Sequence, residues 1–445
     1  MPKIAFIGAG STVFTRNLTS DILAYPELRD STELALMDID QERLRTSAVV
    51  AQSVAASKRS RARITTTLDR RRAIDEADYV FTTFQIGGLQ ATRTDFDLPR
   101  RFGLRQTIAD TVGIGGIMRG LRTIPVLVDL CRDMEELCPQ ALLMQYSNPM
   151  AMNCWAITAS SDIKTIGLCH SVPHTVQELA ADLELPAAEI EFVCAGINHV
   201  AFYLKLEHKG RDLYPGLWRI IDEGRVPAGN RVRYEVLRHF GYFVTESSEH
   251  FAEYTPWFIK SSRPDLIERF DIPLDEYLVR SKRQHAEWNE LYDRLSHGDG
   301  EIETLQSREY GGPIIHALET GRPFNFNGNV PNDHDGNRLI TNLSSDACVE
   351  VPCIADETGI HPDSVGALPP QLAGIAESNI TVQRLAVLAA LTGNRAYVYQ
   401  AAALDPHTGA ELDLDEIHGL VDQLIEEHGD LLPPLTSPSA GLPEG

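Results

Sequence analysis

Lys3-Ile4-Ala5-Phe6-Ile7-Gly8-Ala9-Gly10-Ser11 opens the chain, and its reading decides the fold. Lys3 to Ile7 is a short apolar run with the pattern of a buried strand. A glycine loop follows, and 12 to 24 reads as a helix. Tight glycines between a strand and a helix let the backbone approach a pyrophosphate, and the helix start offers free N–H groups. A second strand, Glu33 to Met37, ends at Asp38. That acid lies somewhat beyond the roughly 20-residue spacing of a ribose-binding carboxylate. It would hold the ribose hydroxyls of NAD and repel the extra phosphate of NADP. Val13 stands where a third glycine is expected, so an ordinary strand-to-helix turn is the plainer alternative.

The rhythm continues outward from this loop. Asp78 to Phe84, Ala141 to Tyr146 and Thr165 to Cys169 read as further strands. Ile117 to Leu137 reads as a long helix broken or started near Pro125. Strands alternating with helices predict a doubly wound parallel sheet of Rossmann type. In such sheets ligands bind beyond the carboxyl ends of the strands. Asn148, in Ser147-Asn148-Pro149, and Cys169 both follow strand ends, which puts them in one site. Between the third strand and the long helix, Thr92 to Phe96 and Gln106 to Gly116 are polar and carry Gly113, Gly115 and Gly116. They read as a bent lid or substrate loop, with a plain surface loop as the alternative.

Glu191 to Ile197 reads as a strand leading to Asn198-His199, and Val200 to His208 as the next, turning at Lys209-Gly210. A lone cysteine or histidine is usually structural. Two of them at strand ends, Cys169 and His199, form a better metal pair, because thiolate and imidazole suit a borderline transition ion. Two protein ligands would leave coordination positions for a substrate diol. Ser247 to Lys260 is rich in aromatics around Tyr254; it reads as core packing or as a sugar-binding wall with a proton-exchanging tyrosine. Residues 379 to 403 and 413 to 427 read as helices, and the Pro-rich tail from Leu432 as loose.

Composition bounds the rest. A chain of 445 residues predicts two domains, divided here as 1–195, the nucleotide-binding part, and 196–445, an α+β part as in lactate and malate dehydrogenases. A net charge of −23 disfavours nucleic acid and anionic membranes as partners. Seven cysteines make no disulfide framework, and Cys131 and Cys138 read as small core residues. With no apolar run near the ~20 residues of a membrane span and no signal-peptide pattern at the start, a cytoplasmic location is expected.

Taken in order, these motifs resemble glycoside hydrolase family 4 over Ile4 to about Pro434. The matching stretches are Gly8-Ala9-Gly10-Ser11, Gly115 to Pro125, Ser147-Asn148-Pro149, Gly167-Leu168-Cys169-His170-Ser171 and Gly196-Ile197-Asn198-His199. Within the family the chain is most similar to bacterial α-galactosidases, on Gln106 to Thr111, Cys169 to Val172, Gly196 to Lys205 and Glu249 to Phe258. The resemblance implies a glycosidase outside the usual two-carboxylate scheme. NAD+ would take hydride from sugar C3, and a divalent ion, usually Mn2+, would be held by Cys169 and His199. Tyr254, with Tyr242 as a weaker alternative, would remove the C2 proton, and elimination, water addition and re-reduction would follow. It further implies Gly8, Gly10, Ser11, Thr12 and Asp38 as nucleotide contacts, Asn148 and Asn198 as substrate contacts, and a homodimer or homotetramer acting on a small α-glycoside. His170 stands where some phospho-glycosidases have an aspartate acid; it would serve as acid or contact the sugar. Phosphate-reading residues of that branch are not seen, which favours unphosphorylated substrates. Val172-Pro173-His174-Thr175 departs from the continuation expected in close α-galactosidases, so an α-glucosidase or a uronic-acid glycosidase stays open. A 2-hydroxy-acid dehydrogenase and a silent NAD sensor are the readings outside the family.

Overall fold

The computed structural model describes residues 1–11, 13–297 and 307–436. Six parallel strands form one half of a mixed sheet: β1 (Lys3–Ile7), β2 (Glu33–Met37), β3 (Arg63–Thr67), β4 (Tyr79–Thr82), β5 (Leu142–Gln145) and β6 (Thr165–Gly167). Their order is β3-β2-β1-β4-β5-β6, the doubly wound order whose reversal between β1 and β4 makes a crevice for a dinucleotide. Both faces are covered. Ile4 and Phe6 of β1 join one buried cluster, while Ala5 and Ile7 join another with Leu127, Leu130 and Met134. That double burial explains why β1 and β4 read as continuous apolar runs. β3 had no such signal, because Arg63-Ile64-Thr65-Thr66-Thr67 sits at the sheet edge with partial exposure.

The sheet continues past β6 with antiparallel strands. These are β7 (Ile190–Ile197), β8 (Val200–His208), β9 (Arg211–Asp212), β10 (Phe324–Pro331) and β13 (Cys348–Asp356), in the order β6-β10-β13-β7-β8-β9. A small ribbon of β11 (Asp333–His334) and β12 (Asn337–Arg338) and the strand β14 (Gly359–Pro362), paired to β13, complete the strands among the described residues. β7 spans the expected domain division at 195/196 and belongs to the antiparallel half.

Four sequence readings need correction. The long helix is Gly113–Leu137, running unbroken through Pro125. Its glycine-rich first turn hides it from propensity. Gly115 and Gly116 fit because a Cβ there would lie 2.7 Å from Ala109 Cβ and from the Thr111 backbone carbon respectively, so the close approach is to the protein's own preceding loop. Thr92 to Phe96 is no loop, being part of helix Gly88–Arg101. The helix expected at 379–403 is two, Pro370–Thr392 and Arg395–Leu404, divided at Gly393 with φ +70° and restarted by an Asn394 side-chain cap. The start of the tail is not loose: Leu432 is buried and Thr436 N–H donates to the Gly393 carbonyl. The rest of it lies outside the described residues.

A buried ionic cluster fixes the last helix to the nucleotide-binding half. Arg122 donates to both oxygens of Asp95 at 3.0 and 2.6 Å, and His428 Nε2 lies 2.8 Å from Asp95 Oδ1. All three are buried. Asp95→Asn leaves Arg122 without its counter-charge, so we expect a loss of about 3–5 kcal/mol, read from urea unfolding. A loss under 1 kcal/mol would contradict the assignment.

Candidate active site

The nucleotide loop lies at the strand-order reversal. Gly8 has φ +88°, and a Cβ on it would come 2.6 Å from Phe84 Cβ. A Cβ on Gly10 would lie 2.6 Å from Asp38 Oδ2, which accepts from Gly10 N–H at 2.8 Å. Asp38 Oδ1 takes Asp40 N–H at 2.9 Å; a carboxylate offers about four acceptor sites, so capacity is left for ribose hydroxyls. Ser11 Oγ accepts from Phe14 N–H at 3.3 Å. The bare backbone cradle above a fixed carboxylate fits a dinucleotide. Thr12, the remaining expected contact, lies outside the described residues.

β5 and β6 are neighbours, so Asn148 and Cys169 emerge side by side beyond their carboxyl ends. His199 arrives from the other half. It sits in the Asn198-His199 turn between β7 and β8, with φ +64°. Cys169 Sγ and His199 Nε2 are 3.3 Å apart. Glu246 Oε2 lies 3.2 Å from the same nitrogen, and the three donor atoms are within 4.8 Å of one another. The other ring nitrogen, Nδ1, is 3.1 Å from the Tyr254 hydroxyl and 3.0 Å from Thr111 Oγ1. Tyr254 is buried and its ring stacks on His199 at 6.3 Å. Thr111 donates to Asp110 Oδ1 at 2.8 Å, and Asn148 Nδ2 donates to Asp110 Oδ2 at 3.0 Å. Cys169, His199, Tyr254 and Asn148 thus belong to one connected group.

The charges fit a divalent cation. Burial pushes the Cys169 thiol up to about 12, with Glu246 and Glu350 adding to the effect. A thiol so placed becomes a thiolate only with a cation to hold it. Burial opposes ionisation of Glu246, but the rings of His250, His199 and His170 outweigh it and hold the carboxyl well below its usual range. Burial likewise opposes ionisation of Asp110, and Arg119, His250 and His199 outweigh that too. Soft thiolate, imidazole and carboxylate together suit a first-row divalent ion.

His170 stands beside Cys169, with Nδ1 3.2 Å from Glu309 Oε1. Burial lowers its basicity, but the Glu309 carboxylate overrides this and raises it; more than half of the side chain is open to solvent, which tempers the effect. Asn198 is buried beside the carboxylate of Glu350 on β13, which is buried too, with no well-aligned hydrogen bond among the described residues. Burial pushes Glu350 up to about 8. Tyr242 packs edge-on against Tyr214. Of the aromatic stretch, Phe251 and Phe258 are core. Trp257 stacks on Phe240 and lines a separate cleft of about 360 Å3 with Phe258 and Phe270.

Sequence reasoning missed Glu246, Glu309, Glu350 and Glu253. No spacing marks them, because each reaches the site through tertiary packing. Glu253 anchors the loop that carries Asp110 and Thr111: its carboxylate accepts from the N–H groups of Thr107, Ile108 and Ala109, the closest at 2.8 Å. Burial nevertheless raises it from 4.5 to about 7. A raised folded pKa means a stabilising contribution fully present below pH 4.5 and lost as pH rises through about 7. Glu253→Gln does not titrate. The melting temperature of this variant, relative to the parent, should therefore climb between pH 4.5 and 7 in scanning calorimetry; a flat difference would refute this.

Comparison with known proteins agrees with this geometry. Residues 3–185 match the model of family 4 glycosyl hydrolases, and 194–408 match that of the family's C-terminal domain. An α-galactosidase of Bacillus subtilis (strain 168) is 46% identical over 97% of this chain and 99% of its own length. An α-galactosidase of Rhizobium meliloti (strain 1021) is 36% identical over 97% and 89%. A 6-phospho-α-glucosidase from gut microorganisms, solved with NAD and Mn2+, superposes with a TM-score of 0.81 at 21% identity, covering 98% of this chain and 100% of its own. At that identity it bears on the fold alone.

Proposed function

The chain belongs to family 4 of the glycosyl hydrolases, and on that premise we propose that it is an α-galactosidase using NAD and a divalent ion, Mn2+ first. The observation that carries this reading is Cys169 Sγ 3.3 Å from His199 Nε2 with the Tyr254 hydroxyl on the ring's other nitrogen. It is supported by two α-galactosidase relatives aligned over nearly the whole chain. NAD+ supplies a hydride acceptor and the metal ion Lewis-acid polarisation of sugar hydroxyls.

The residues divide the remaining work. Gly8, Gly10 and Ser11 cradle the pyrophosphate, and Asp38 takes the ribose hydroxyls. Asn148, fixed by Asp110, orients a sugar hydroxyl, and Asn198 offers a second amide. Tyr254 takes the sugar C2 proton. With Nε2 of His199 engaged, the ring's proton sits on Nδ1 and donates to Tyr254, so the ligand and the base are joined by one imidazole. Burial, with Asp110 and Glu253, holds the Tyr254 hydroxyl well above its ordinary value, and the hydrogen bond with Thr111 eases it. His170, half-exposed beside Cys169 and held by Glu309, delivers a proton to the leaving glycosidic oxygen. Cys169 follows a strand of the parallel half and His199 one of the antiparallel half, so both halves of the sheet complete the site.

No helix among the described residues is long and apolar enough to cross a membrane. Seven free cysteines support a cytoplasmic location, and the reading includes a homodimer or homotetramer, checked by light scattering.

The test is hydrolysis of p-nitrophenyl α-galactoside by metal-stripped protein, adding NAD+ and Mn2+ singly and together under reducing conditions. α-Glucoside and α-glucuronide analogues run in parallel. Release that needs both additions without NADH accumulating supports the reading. Preference for another sugar moves the substrate within the family, and steady NADH formation with a hydroxy acid would overturn the glycosidase assignment.

A further inference from the structure

The geometry points to Glu246 as a third protein donor to the divalent ion at Cys169 and His199, one that turns a thiolate–imidazole pair toward harder ions such as Mn2+. This rests on the metal-dependent reading above and goes beyond the two-ligand pair recognised in the sequence.

Three observations carry it. First, His199 Nε2 faces two partners at once, Cys169 Sγ at 3.3 Å and Glu246 Oε2 at 3.2 Å. One ring nitrogen offers either a single proton or a single lone pair, so it cannot serve both. A cation among the three atoms engages the lone pairs of all of them together. Second, the backbone is bent to present this carboxylate. Glu246 has φ +66°, a left-handed conformation that costs a non-glycine residue of order 1–3 kcal/mol and persists where the surroundings over-determine it. They do so here. The preceding Thr245 N–H is tied to the Ala201 carbonyl at 2.8 Å, Val244 bridges to Phe202, and helix Ser248–Glu253 starts two residues later. Third, the second oxygen of Glu246 is occupied. Oε1 accepts from Ser247 N–H at 3.2 Å and lies 3.3 Å from His250 Nδ1, so the carboxylate is anchored at one end and offers Oε2 to the site. A metal ligand steadied by an outer hydrogen bond has this arrangement.

The donor set has a chemical consequence. Thiolate with imidazole alone favours soft and borderline ions such as Zn2+, whereas carboxylate oxygen suits Mn2+ and Mg2+. Glu246 therefore shifts preference toward Mn2+ and still leaves positions for vicinal sugar oxygens.

The experiment measures Mn2+ and Zn2+ affinity of the full-length, NAD-loaded protein, by the free Mn2+ signal in electron paramagnetic resonance and by calorimetry. Parent, Glu246→Gln, Glu246→Asp and Cys169→Ser are compared. For Glu246→Gln we expect Mn2+ binding weakened roughly 10–100-fold, Zn2+ binding weakened much less, and partial recovery in Glu246→Asp. NAD affinity and melting temperature report whether each variant is folded, and if the Gln variant is not, Glu246→Asp carries the comparison. Unchanged Mn2+ affinity in a folded Glu246 variant, with Cys169→Ser strongly impaired, would overturn the Glu246 assignment alone. A parent protein that takes up no Mn2+ would overturn both this and the metal-dependent reading.

Discussion

Tyr254→Phe is expected to lower kcat by about 10^2–10^4-fold, the range over which a positioned acid or base contributes. The substitution deletes one oxygen and keeps the ring, which stacks on His199 and is fully buried. Packing and substrate affinity should change little, so KM stays within a few-fold. A second readout separates loss of a base from general damage. When the parent turns over in D2O, the released sugar should carry deuterium at C2, because Tyr254 exchanges the proton it removes. In the variant C2–H cleavage should become rate-limiting, so a substrate deuterated at C2 should show a larger primary isotope effect on kcat than in the parent. Tyr242→Phe is the control: Tyr242 packs on Tyr214, and its loss should leave both rate and isotope effect intact. An unchanged isotope effect in Tyr254→Phe, or a loss under tenfold, would move the base elsewhere.

The parallel half of the fold was legible because its strands are buried on both faces. Lys3–Ile7 and Glu33–Met37 were read with their observed bounds. What escaped reading was amphiphilic or glycine-rich. Arg63–Thr67 is an edge strand without an apolar run, and Gly113–Leu137 begins with glycines that only tertiary contact makes helical. The site shows the same division. Cys169 and His199 were legible because each follows a strand, and strand ends point at ligands in this architecture. Their pairing was read from those strand ends and from the family resemblance, but the path by which they meet was not, since β10 and β13 lie between β6 and β7 in the sheet. Glu246 and Glu253 follow no strand and no spacing. Glu246 is set by a left-handed backbone position and Glu253 by three amides of a distant loop, features that exist only after folding.

Cys169→Ala tests the other half of the chemistry. With NAD+ and Mn2+ both supplied, kcat/KM for an α-galactoside should fall about 10^3-fold, equivalent to roughly 4 kcal/mol of transition-state stabilisation. The argument is electrostatic. Burial holds the thiol up near 12 with two glutamates nearby, so Cys169 gains nothing as a free acid or base near neutral pH and matters as a thiolate beside a cation. Removing it leaves His199 and Glu246 to hold the ion with one donor fewer and less negative charge. NAD+ affinity should be retained within a few-fold, because the Gly8–Gly10 loop and Asp38 contact each other and not Cys169. Excess Mn2+ should recover part of the rate if weakened affinity is the main loss. A variant with nearly parental activity that still requires Mn2+ would place the ion away from Cys169. A variant that loses NAD+ binding in parallel would mean that the cysteine supports the fold of the nucleotide half.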